Sequence, residues 1–267
     1  MSSFLQDVVT YKTKNQQKSY DLKKIIQLIS KIKLPYPMKL YYNSIIPLNI
    51  FQTWHTKDLP EKMKKNIELI KTNNPAFNYY LYDDDDCYNF IKEHYNADVL
   101  YAFDTLVPGA YKADLWRYCV LYKLGGIYLD IKYKPLNNFK FINLTEKEHW
   151  VLDIDKNGIY NAVMVCLPYN PILKLAIEKV VENVKNRYYG GSSLDPTGPG
   201  LLSKLFSSQE KKKFDMYHDF YETCENRFVF FNKYIIFKTY NGYLEEHGSN
   251  KIKEHYSVLW GINKIYR

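Results

Sequence analysis

The chain has 267 residues, 46% of them apolar, enough to bury one large core or two small ones. Its net charge of +8 comes from lysines scattered along the chain, with Lys211-Lys212-Lys213 as the longest run. That distribution fits a solvated basic surface rather than a nucleic-acid patch, and no nucleic-acid-binding module is recognisable. No stretch reaches the ~18 apolar residues of a membrane span, and no apolar leader core follows Met1. Cys87, Cys119, Cys166 and Cys224 stand far apart, without a CxxC pair. The expectation is a cytoplasmic protein with free thiols, no nucleic-acid partner and no transmembrane segment.

Residues 1–44 are polar and rich in tyrosine and lysine. Leu22, Ile25, Ile26, Ile29 and Ile32 recur at helical spacing and predict an amphipathic helix over about 20–32. Its apolar face lacks aromatic anchors, which favours packing on the main domain over a place on a membrane surface. Pro35 and Pro37 then break the chain, so residues 1–44 form an N-terminal helical extension and 45–267 the main domain.

The domain opens with a strand in "IIPLNIFQTW", a helix over 58–71, and an aromatic strand in "FNYYLYDDDD". Residues 84–94 predict a helix whose acidic first turn suits the positive end of the helix dipole. Residues 110–124 make the best helix in the chain, with Leu115, Tyr118, Cys119 and Tyr122 as its apolar stripe and Gly125-Gly126 as its stop. A buried strand, "IYLDI", follows. Strands over 149–154 and 160–167, a helix over 170–187 opened by Pro171, a loop "LDPTGPG" and a strand over 228–237 complete the pattern. Alternating strands and helices predict an α/β fold with a mixed, mostly parallel sheet flanked by helices.

In open α/β sheets, ligands bind outside the carboxyl ends of the strands. Asp130 stands at such an end, after Ile127-Tyr128-Leu129. Asp114 and Arg117 are three apart and share a helix face. On the surface such a pair is worth at most ~1 kcal/mol. Here the helix feeds through two glycines into the Asp130 strand, so the pair is placed to share its crevice. An arginine there suits a phosphate or an acid.

The segment "PGAYKADLWRYCVLYKLGGIYLDIKY" resembles the core motif of the DXD-type sugar-binding glycosyltransferases. That family includes the yeast initiating α-1,6-mannosyltransferase and clostridial toxin glycosyltransferase domains. Ala113-Asp114, Arg117-Tyr118, Gly125-Gly126 and Tyr128-Leu129-Asp130 match its pattern in order and spacing. "IPLNIFQTW", "NPAFNYYLYDDDD", "YNAVMVCLPYNPIL" and "TGPGLL" are further family-like segments, and His255, Ser257 and Trp260 resemble its terminal segment. The resemblance implies a GT-A-type, Rossmann-like fold, and a retaining transfer from a UDP- or GDP-sugar to a hydroxyl of a glycan or protein. It also implies a role for Gln52, Trp54, Asp114, Arg117, Tyr128, Asp130, Asn161 and Gly198 in holding the donor. Trp54 would lie near the base, or serve the core instead; Asn161 and Thr197 suit turns and caps as well as a ligand.

The family's second acid, which would hold Mn2+ or Mg2+, is here Lys132. An ammonium repels a metal and cannot ligate it while protonated. Three arrangements follow. Lys132 neutralises the leaving diphosphate itself, with Asp130 and Lys132 as the catalytic pair. Alternatively Asp130 and tail residues such as Glu254, His255 or Ser257 keep the metal. Or the chain only binds a nucleotide sugar or glycan. Asp153-Ile154-Asp155 spells DXD without the preceding helix and glycines, and Asp83–Asp86 reads as a helix N-terminus.

Overall fold

The computed structural model describes residues 34–221, 223–249 and 254–267. The helix expected over 20–32 lies outside them. In chain order the main elements are β1 (Asn49–Thr53), α1 (Glu61–Asn73), β2 (Asn78–Tyr82), α2 (Asp84–His94), α3 (Ala97–Thr105), α4 (Gly109–Leu124) and β3 (Gly126–Leu129). Then come β4 (Tyr133–Pro135), β5 (His149–Leu152), β6 (Ile159–Cys166), α5 (Pro171–Lys185), the short α6 (Pro199–Ser203) and α7 (Ser208–Lys211), β7 (Met216–Tyr221), β8 (Thr223–Phe231), β9 (Tyr234–Thr239), α8 (Tyr243–Ser249) and α9 (Tyr256–Gly261). No helix among the described residues is long and apolar enough to cross a membrane.

Among the described residues, one sheet of nine strands, in the order β2-β1-β3-β6-β5-β7-β8-β9-β4, has helices packed against it. The α/β class and the mixed sheet are as expected. Parallel pairing, however, is confined to β2-β1-β3 and to β5-β7; the other neighbours are antiparallel. The physical reason is the second half of the chain, where hairpins replace helical crossovers. The single strand expected over 228–237 is two, β8 and β9, turned at Asn232-Lys233 with Asn232 at φ 53°. Asparagine tolerates that left-handed conformation in a tight hairpin.

Helix α4 has no single apolar stripe. Tyr111 and every residue from Asp114 to Leu121 are buried, as expected for a helix enclosed on all sides. It ends at Gly125, φ 61°, and Gly126, φ 125°. A Cβ at Gly125 would sit 2.6 Å from Pro168 Cδ, and one at Gly126 would sit 2.7 Å from the Asn49 carbonyl oxygen. Only glycine allows this close left-handed turn, and the turn folds β3 back beside α4.

Three consequences place the site. β1 and β3 are parallel neighbours, with Phe51 beside Tyr128, so both carboxyl ends reach one edge. β6 runs antiparallel to β3, pairing Leu129 with Val163, so its N-terminal part lies beside the end of β3. The first half of α4 returns to the same edge. Upstream of Ile45, residues 34–44 are tied to the domain: Asn137 donates to the Leu34 carbonyl at 3.2 Å, Tyr42 OH to Asn143 Oδ1 at 2.7 Å, and Tyr36 stacks on Phe231. The domain's packing therefore begins before residue 45. Cys87, Cys119 and Cys166 are buried and free.

Candidate active site

At the shared edge lies a crevice with two lobes. The smaller, about 260 Å3, is lined by Thr53, Trp54 and His55 at the end of β1 and just beyond it, and by Gly109 and Ala113 of α4. The larger, about 680 Å3, is lined by Asp114, Asp153, Tyr160, Asn161, Gly198 and Arg227. Arg117, Asp130, Lys132, Tyr243, His255 and Tyr256 line both, so the lobes meet there.

The floor is a chain of charged and polar groups. Arg117 is the hub. Its Nη1 lies 3.3 Å from Asp130 Oδ1 and donates to the Asn161 carbonyl at 2.8 Å. Its Nη2 lies 3.3 Å from Asp114 Oδ1, and its guanidinium lies 4.3 Å from the Tyr128 ring centre. Asp114 accepts from Asn161 Nδ2 and from Thr197 Oγ1, each at 2.8 Å. Tyr118 OH donates to the Thr197 carbonyl at 2.8 Å, locking the loop over α4. Gly198 fits because a Cβ there would sit 3.0 Å from Asp114 Oδ2.

Asp130 is held from three sides. Tyr128 OH donates to Oδ1 at 2.8 Å, Arg117 adds its 3.3 Å contact, and Lys132 Nζ donates to Oδ2 at 2.6 Å. Burial pushes the Asp130 carboxyl up, but Lys132 and Arg117 outweigh it and hold it below the ordinary value. Burial likewise works against the Lys132 ammonium, and Asp130 more than compensates, so Lys132 is held charged above its ordinary value. Asp114 differs: burial raises it above the ordinary carboxylate value despite Arg117, Thr197 and Asn161.

Of the residues expected to hold a donor, the crevice brings together Trp54, Asp114, Arg117, Tyr128, Asp130, Asn161 and Gly198. Gln52 is not among its lining. It is fully buried; its Nε2 donates to the Leu129 carbonyl at 3.1 Å and its Oε1 accepts from Tyr79 OH at 2.7 Å, so it ties β1 to β2 and β3. Trp54 is half-buried beside His55 and His247, with ring centres at 4.8 and 5.8 Å, and its indole N–H has no partner.

A divalent metal does not fit the residues present. Both Asp130 oxygens already accept hydrogen bonds, one of them from an ammonium. His255 lines the crevice but caps α9, with its Nδ1 2.7 Å from Ser257 Oγ. Among the described residues, no three His, Cys, Asp or Glu side chains converge as metal ligands. Asp153 Oδ1 accepts from the Ile154 N–H and lies 3.0 Å from His218 Nδ1, while Asp155 caps its own turn. Asp83 and Asp86 form a reciprocal capping box at the start of α2, as expected.

Sequence reasoning missed three features. The His218 ring is buried and stacked on Tyr160 at 3.8 Å, with Nε2 unpartnered. Arg227 lines the larger lobe, and Tyr243 lines both. A histidine two residues from Met216 and two from Phe220, and so on their face of a β-pattern, was the signal available for His218.

Residues 60–151 match the family described as "Glycosyltransferase sugar-binding region containing DXD motif". Inositol phosphoceramide mannosyltransferase 2 of Schizosaccharomyces pombe is 30% identical over 172 residues, 63% of this chain and 48% of that protein. Inositol phosphoceramide mannosyltransferase 3 of the same yeast is 31% identical over 183 residues, 66% of this chain and 49% of that protein. Among solved structures, the PaToxG glycosyltransferase is 19% identical, covering 70% of this chain and 79% of that one, with a TM-score of 0.47. The chain spans about half the length of the curated relatives it matches. Residues 60–151 thus resemble the sugar-binding region of the DXD-type glycosyltransferases, and the chain is similar to the yeast mannosyltransferases beyond that region.

Proposed function

We propose that this chain moves a sugar from a nucleoside-diphosphate sugar to a hydroxyl acceptor, on a GT-A-type fold. The observation that carries the reading is the Asp114–Arg117–Asp130 floor at the junction of two lobes. The smaller lobe, with the Trp54 ring in its lining, suits a nucleoside base. The larger lobe suits the sugar and the acceptor. Asp114 has lone pairs to spare beyond Asn161 and Thr197, and a sugar's hydroxyls are natural donors to them.

The proposed reaction retains configuration. The bond between the anomeric carbon and the phosphate oxygen breaks, and the acceptor oxygen bonds to that carbon on the same face. The acceptor's proton passes to the departing phosphate, so no separate general base is required. The names of the yeast relatives favour mannose as the sugar and a phosphoinositol lipid head as the acceptor. Arg227 in the larger lobe, with exposed Ile154 and Leu244 along it, is compatible with an acceptor that is anionic and part apolar.

The test is nucleotide release from a panel of UDP- and GDP-sugars, GDP-mannose first, with and without vesicles containing inositol phosphoceramide. Release of nucleoside diphosphate from one donor, with sugar on the lipid, supports the reading. Binding of a donor without any release favours a protein that only holds it, a reading prompted by Lys132 in place of an acid.

A further inference from the structure

We infer that Lys132 takes the place of the divalent cation, so that the donor's diphosphate binds without a metal and Asp130 serves to position an ammonium. This rests on the crevice being the nucleotide-sugar site.

Location is the first support. A nucleoside in the Trp54 lobe and a sugar in the Asp114 lobe put the diphosphate between them, where Arg117, Asp130 and Lys132 line both. Geometry is the second. Lys132 Nζ donates to Asp130 Oδ2 at 2.6 Å, and its rings of contact are Tyr133 and Tyr160, with centres 5.4 and 5.5 Å away. Tyr160 is itself fixed, by His218 stacked on its face at 3.8 Å and by Tyr133 OH at 2.7 Å. A lysine so braced is preorganised rather than swinging in solvent, the condition under which a charge stabilises a transition state most. An ammonium has three N–H groups. Asp130 takes one, which leaves two for phosphate oxygens.

The third support is exclusion. A cation on the open lone pair of Asp130 Oδ2 would sit against the Lys132 ammonium on the same oxygen and be repelled by it. The remaining Asp130 oxygen is shared by Tyr128 and Arg117. When the sugar–phosphate bond breaks, its electron pair stays on the phosphate oxygen. Lys132 donates hydrogen bonds to the diphosphate and keeps its own proton, while that oxygen receives the acceptor's proton.

The experiment measures affinity for UDP and GDP, and for UMP and GMP, in EDTA and in Mn2+. It uses wild type and the Lys132→Met, Lys132→Arg and Lys132→Asp variants, each first checked for cooperative unfolding. Wild type should bind one diphosphate equally, within twofold, in EDTA and in Mn2+. Lys132→Met should lose at least tenfold and with it the preference for diphosphate over monophosphate. Lys132→Arg should keep part of that preference. Lys132→Asp, which restores two acids, should bind only with Mn2+. Wild-type binding that needs Mn2+ overturns the inference and leaves the donor site standing. Failure of every nucleotide, with and without metal, overturns both. The wild-type comparison is decisive even if a variant misfolds.

Discussion

Replacing Arg117 by methionine keeps an unbranched stem in the core and removes the charge. The guanidinium is the counter-charge for Asp114 and Asp130, at 3.3 Å from each, and the donor to the Asn161 carbonyl at 2.8 Å. Lys132 remains to serve Asp130, but Asp114, 8% exposed, has no other cation within 4 Å among the described residues. Removing one partner of a buried ion pair costs about 3–5 kcal/mol. The orphaned carbonyl overlaps with that figure rather than adding to it in full. At about 2–4 °C per kcal/mol for a chain of this size, the melting temperature should fall by roughly 6–20 °C. Thermal unfolding at pH 7 reads it. The double variant Arg117→Met with Asp114→Asn should regain part of the loss, because the uncompensated charge is gone. A fall under about 2 °C, or a double variant no better than the single one, refutes the reasoning.

Three further outcomes are expected. Gly125→Ala puts a Cβ 2.6 Å from Pro168 Cδ at φ 61°, and should destabilise by about 2–3 kcal/mol in denaturant unfolding; an unchanged midpoint would contradict it. Trp54→Ala should weaken nucleotide affinity about 5- to 150-fold, the value of one base stacked on an aromatic ring at ~1–3 kcal/mol, and equal titration curves would remove Trp54 from the base site. Burial lowers the His218 pKa, against the pull of Asp153. Below the ordinary value of 6.5 the unfolded chain binds a proton that the fold resists. Stability should therefore fall as pH drops from there towards the folded pKa, and His218→Gln should be flatter across that window; parallel curves would refute it.

Much of the site could be read from the residues because its parts are close in sequence or fixed by glycine. The spacing of Asp114 and Arg117, the Gly125-Gly126 stop and the short β3 suffice to bring three charged groups to one edge. What escaped depends on distant pairing. Thr197 reaches Asp114 across 83 residues, and Tyr118 reaches the Thr197 carbonyl across 79; no local pattern announces either. The resemblance implied a donor-binding role for Gln52, but a polar side chain inside a strand can also be spent on the neighbouring strands, as it is here. β7 and the β8–β9 hairpin are rich in aromatic residues, which suit strands and loops alike, so their number and direction followed only from the ladder. The crowding of Asp130 by Lys132 was half legible: two residues apart, their contact depended on the turn after β3, where the Tyr133 N–H donates to the Asp130 carbonyl at 3.0 Å.

The most direct test of the central claim is titration of the purified wild-type chain and of Asp130→Asn with the UDP- and GDP-sugar panel, reading nucleoside diphosphate release. Wild type should release nucleotide from one donor, and Asp130→Asn, folded and with an unchanged unfolding transition, should lose at least tenfold. Full release by folded Asp130→Asn, or a wild type that neither binds nor turns over any donor, would contradict the assignment of this crevice as a nucleotide-sugar site.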